Sequence, residues 1–174
     1  MVLTKIVPKY TGIAITSVGA VAITPVSFSD SVILMGLQVK MSLDIMVAYG
    51  IDASIVSLAA DLVGSNLISS IGKNLASKLL QLIPFIGKPI EVIVDISVAG
   101  SITALLGAAI SEVCAQFLKT CIRKDGSATI SFIDYFTEDV LKEAISNIKN
   151  GKSDIDLKSI INLAINNFSK KKPE

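Results

Sequence analysis

The side chains that usually carry chemistry are few in this chain and poorly grouped. There is no histidine among its 174 residues, which removes the commonest general base and the commonest zinc ligand. Ser-His-Asp and Cys-His arrangements cannot form within the chain. Two stretches end like phosphate-binding loops, and neither completes the motif. Gly72-Lys73-Asn74 has Leu67 where the first glycine should stand, and Gly151-Lys152-Ser153 has Ser146 there and follows a helix instead of a strand. Cys114 and Cys121 lie on one predicted helix, separated by roughly 10 Å at the helical rise, too far for a disulfide. They read as two reduced core thiols, with an intermolecular disulfide as the alternative. Reduced thiols fit a cytosolic chain or the cytosolic side of a membrane. Asp44, Asp61 and Asp95 fall inside apolar helices. Buried singly they would be costly, so they are expected to cap, to pair with lysine or to face water, against an ion pathway or proton relay. The expectation is no catalytic residue, no cofactor, no metal and no enzymatic activity.

The elements around these residues are strongly apolar. Hydrophobic residues make up 51% of the chain and its mean hydropathy is +0.66, so a core can form without disulfide or metal. A net charge of +1 argues against a nucleic-acid partner bound by phosphate neutralisation. The charge is unevenly placed: residues 1–118 hold 6 Lys/Arg and 7 Asp/Glu, residues 119–174 hold 10 and 8. This divides the chain into a hydrophobic helical domain over 1–122 and an amphipathic helical extension over 123–174.

In order, Val2–Lys9 is expected to be extended or frayed. Tyr10–Ser29 carries no charge but is interrupted by Pro25, leaving about fourteen helical residues, short for a membrane span. The next helix runs from about Asp30 to Tyr49 and stops at Gly50. A bent helix or two short ones follow to Leu82. Pro84 and Pro89 then disfavour helix at the residues before them, and Gly87 between them suits a tight turn. Ile90–Ile122 forms the second arm, antiparallel to the first around that turn. It carries small residues four apart: Ala99, Thr103, Gly107 and Ser111, with Gly100, Ala104 and Ala108 beside them. Such a row lets another helix come close, in water or in a bilayer. Pro84, Phe85, Gly87 and Pro89 of the apolar turn, together with Ala99, Gly100, Thr103 and Gly107, are the candidate packing and interaction residues. Arg123–Ser127 is a loop, and Ala128–Phe132 is a short strand or an extended lead-in. Thr137 caps an amphipathic helix closed by Asn150-Gly151, and Asp154 or Asp156 starts the last helix. Lys170, Lys171 and Lys172 form a solvated end or a contact for anionic lipid headgroups.

The order of these motifs resembles a known family. Thr24-Pro25-Val26-Ser27-Phe28-Ser29-Asp30, then Leu37-Gln38-Val39-Lys40-Met41 and Tyr49-Gly50-Ile51-Asp52, are similar to a proline-phenylalanine-aspartate turn, a glutamine-methionine helix and a tyrosine-glycine stop. Leu82-Ile83-Pro84-Phe85-Ile86-Gly87 resembles the lysine-leucine-isoleucine-proline-x-x-glycine turn of that family, with Lys78 standing for its upstream lysine, and Thr103-Ala104-Leu105-Leu106-Gly107 resembles its second arm. The family is an uncharacterised helical domain attached to the C-terminus of many Era-like and Ras-like small GTPases and found in some bacterial inner-membrane proteins. The likeness covers about residues 10–120; the GTPase part is absent.

That resemblance implies an all-α, hydrophobic, accessory module, often membrane-associated, without GTP hydrolysis of its own. Two functions follow as expectations. One is a non-enzymatic helical module that associates with membrane lipid or with a second copy of itself as a homo-oligomer. The other is a cytosolic interaction domain acting in trans with a GTPase. The location is correspondingly cytoplasmic, or peripheral to or integral in a membrane on its cytoplasmic side.

Overall fold

The computed structural model describes residues 1–19, 32–51 and 91–169, with side chains described over 1–16, 36–51 and 100–167. The apolar turn with Pro84, Phe85, Gly87 and Pro89, the first arm, Asp61 and the three terminal lysines lie outside the described residues. So does the side chain of Ala99. The chain folds as an all-α bundle. Its elements among the described residues are a π-helical turn Val2–Ile6, then α1 (Val7–Gly19), α2 (Val32–Ala48), α3 (Glu91–Thr120), α4 (Phe132–Tyr135), α5 (Glu138–Lys149) and α6 (Leu157–Ser169).

The N-terminal segment is helical, correcting the expectation that Val2–Lys9 is extended or frayed. Its wide π turn, with the Val7 N–H donating to the Val2 carbonyl, directly precedes Pro8. A proline ring inside an α-helix presses on the carbonyl four residues back and removes one donor. The wider turn falls at that point. The helix then runs on through α1, where Val7, Tyr10, Thr11 and Ala14 are buried.

Helix ends follow their sequence signals. At the end of α2 the Gly50 N–H donates to the Val47 carbonyl (2.9 Å) and the Ile51 N–H to Met46 (3.1 Å). Gly50 takes φ +77°, as this paired stop requires. The end of α5 repeats the pattern: Gly151 at φ +66°, with Gly151 N–H to Ile148 and Lys152 N–H to Asn147. Thr137 caps α5 through the Val140 N–H. At α6 the cap is Asp156, not Asp154: its Oδ1 accepts from the Lys158 and Ser159 N–H groups at 3.0 and 3.2 Å.

Between α3 and α4 the chain makes a tight reversal. Ile122 and Ala128 form an isolated antiparallel bridge, Arg123 N–H donates to the Ser127 carbonyl at 2.8 Å, and Gly126 sits at φ +83°. Ala128 is thus a single bridge residue, and Phe132 already belongs to α4. Phe117 of α3 meets Phe132 edge-to-face and Tyr135 at a tilt, with centroids 5.1 and 5.5 Å apart, and Phe136 stacks on Phe132 at 5.4 Å, fastening this reversal to α3.

The core is one contiguous cluster that includes Met41 and Ile45 of α2, Leu105, Ile110 and Val113 of α3, Phe132 of α4, Leu141 and Ile148 of α5, and Ile160 of α6. Burying each side chain of this size stabilises by roughly 1.5–3 kcal/mol. The amphipathic helices of the C-terminal extension therefore dock on the hydrophobic body. α5 lies on α3, and α6 lies mainly on α1.

Candidate functional site

The small-residue row of α3 is the feature on which α1 and α2 pack. A Cβ placed at Gly107 would stand 2.9 Å from both methyls of Val7 and 3.0 Å from the Met41 sulfur. One placed at Gly100 would stand 2.6 and 2.9 Å from Cγ1 and Cδ1 of Ile15. Cβ atoms essentially never come under 3.0 Å of a neighbour, so a side chain at either position would require Val7 or Ile15 of α1 to shift, with Met41 of α2 pressed at the limit. Val7 faces Gly107 while Ile15 faces Gly100, so α1 runs antiparallel to α3. Gln38 reaches Thr103 and Tyr49 reaches Ser111, so α2 runs parallel to it. The packing residues Gly100, Thr103 and Gly107 are brought together on one seam, and the described helices filling it are α1 and α2.

Polar groups at this seam tie helix to helix. The Gln38 amide donates to Thr103 Oγ1 at 3.4 Å with both residues buried. Tyr49 and Ser111 share a hydroxyl pair at 2.7 Å. The Tyr10 hydroxyl donates to Asp44 at 2.5 Å, and Lys40 lies 3.5 Å from the same carboxylate. Burial, and then that carboxylate, push the Tyr10 phenol above its ordinary range, so it stays a protonated donor. Asp44 therefore meets the expectation of a paired carboxylate. The Asp95 backbone lies in α3, with its side chain outside the described set. Thr11 Oγ1, fully buried beside Gly100, has no hydrogen-bond partner among the described residues.

Glu112 is an inter-element tie that sequence reasoning missed. It accepts from Gln116 at 3.0 Å on its own helix and from Ser153 at 3.2 Å. The second bond pins the α5–α6 connection to α3. Spacing supplies the first partner, but 41 residues separate Glu112 from Ser153, and no local pattern announces that contact.

Both cysteines are free and buried. Burial pushes the Cys114 thiol up to about 12. Neither is presented for a bond to another chain, against the intermolecular alternative. Among the described residues no group of three or more cysteine, aspartate or glutamate side chains is gathered as a metal would need.

Ser101 through Ser111 are all buried, eleven residues in succession. A helix buried on every side is a bundle's central helix. Gly100–Thr120 is also the one stretch among the described residues long and apolar enough to cross a membrane, and 78% of its apolar window is buried inside the bundle. Length and composition alone therefore fit a soluble-type core as well as a span.

No family model, curated protein or solved structure matches this chain.

Proposed function

We propose that this chain is a non-enzymatic helical module with a closed core, acting as an accessory by docking through its outer surface. The carrying observation is the enclosure of Ser101–Ser111 by neighbouring helices. The seam that would otherwise serve a second copy or a bilayer is already filled by α1 and α2. The polar groups described above support the same reading, because Tyr49, Gln38 and Glu112 each make a hydrogen bond that joins two elements. Of the partners the sequence suggests, a membrane surface on the cytoplasmic side suits a closed module with exposed cations, and a GTPase partner rests on the family resemblance.

A second reading, insertion of α3 in the bilayer, is favoured by the length of Gly100–Thr120. Cell fractionation followed by carbonate and detergent extraction separates the two. Peripheral docking predicts a membrane pellet released by carbonate. Resistance to carbonate with release by detergent overturns it in favour of insertion, and recovery wholly in the soluble fraction favours the protein-partner role.

A further inference from the structure

We propose that the end of the molecule formed by the C-terminus of α3 and the reversal after it is the surface that meets an anionic lipid bilayer. This deepens the peripheral-docking reading and rests on it. Lys119, Arg123 and Lys124 are all exposed and fall within six residues. None of the three forms an ion pair among the described residues. The carboxylate within the same turn, Asp125, is folded back on Ser127, accepting from its N–H at 2.9 Å and its hydroxyl at 2.6 Å. Residues 119–125 therefore carry a net charge of +2.

Two large apolar side chains are exposed at the same end, Leu118 at 38% and Ile130 at 41%. Leu118 lies about one turn before Cys121. Thr129 bonds the Cys121 carbonyl through both its N–H, 2.7 Å, and its hydroxyl, 3.1 Å, so Ile130 departs from that same point. Apolar side chains flanked by unpaired cations suit a headgroup boundary, where the first enter the acyl edge and the second meet phosphate and carboxylate. The reversal is already held by its own backbone bonds, so little ordering remains to oppose contact. An acidic protein would match the cations and leave Leu118 and Ile130 without the acyl region that suits them.

The test is sedimentation of the full chain with phosphatidylcholine vesicles, with and without phosphatidylserine. Binding is expected only to the anionic vesicles and should weaken with salt. Each basic residue near such a surface contributes roughly fivefold, so Lys119→Gln, Arg123→Gln and Lys124→Gln together should weaken binding about a hundredfold. Leu118→Ser with Ile130→Ser should also weaken it. The same measurement on Lys170→Gln, Lys171→Gln and Lys172→Gln supplies the competing surface. Matching thermal melts of variant and wild type show that the fold is kept. Wild-type protein that binds neither vesicle overturns the membrane reading and this surface together. Wild-type binding that the 119–124 variant leaves unchanged, or that only the terminal-lysine variant abolishes, overturns this surface and leaves the membrane reading standing.

Discussion

Glycines in this chain act in opposite senses, and their surroundings decide which. Gly107 lies against Val7 and Met41, so a side chain there must shift Val7 and crowd Met41. Gly36, exposed on α2, has nothing within 4 Å of where its Cβ would be. Overpacking a tight seam costs about 1–3 kcal/mol, whereas removing an exposed helical glycine gains roughly 0.5–1 kcal/mol. Gly107→Leu should therefore lower the thermal midpoint and Gly36→Ala should raise it. Denaturant melts of the two variants check the pair, and a Gly107→Leu protein more stable than the parent would show that the α1–α3 seam is open.

At the scale of elements, the C-terminal helices are defined by their caps, and one cap is sensitive to acid. Hydrogen bonds from the Ser159 hydroxyl and then from the Ser159 and Lys158 N–H groups hold the Asp156 carboxyl below its ordinary value. A depressed carboxylate stabilises the folded form fully above the unfolded value, about 3.9, and that contribution is lost as pH falls through the lower folded value. The start of α6 should therefore fray on acidification before the bundle melts. Amide exchange at Lys158 and Ser159 measures this, and Asp156→Asn should flatten its pH dependence. An unchanged acid profile in that variant would remove Asp156 as the cause.

Over the whole molecule, the two thiols report on closure. The thiolate is the reactive form, and Cys114 is both enclosed and shifted up to about 12. With Cys121 also buried, a thiol reagent at pH 8 should label the native chain only through opening. Both cysteines should react slowly, and denaturant should accelerate them. A rapid first equivalent from the native protein would show that the central helix is not enclosed as described.

The all-α class, the stops at Gly50 and Gly151, the cap at Thr137 and the loop at Arg123–Ser127 were legible in the sequence because each depends on residues within one turn of one another. The small-residue row was legible too, since a spacing of four places its members on one face. What fills that row was not. Val7 and Ile15 reach Gly107 and Gly100 across about a hundred and about eighty-five intervening positions, and periodicity says which face is apolar without saying which helix covers it. The same limit hid the Glu112–Ser153 tie. The helical course of Val2–Lys9 was also missed, because Pro8 argues locally against helix and burial of Val7 and Tyr10 argues for it. A long apolar helix such as α3, with Glu112 and Lys119 as its charges between Gly100 and Thr120, serves a bilayer and a bundle interior equally well, since both exclude water from it. Only the tertiary structure decides that here α1, α2, α5 and α6 are among what surrounds it.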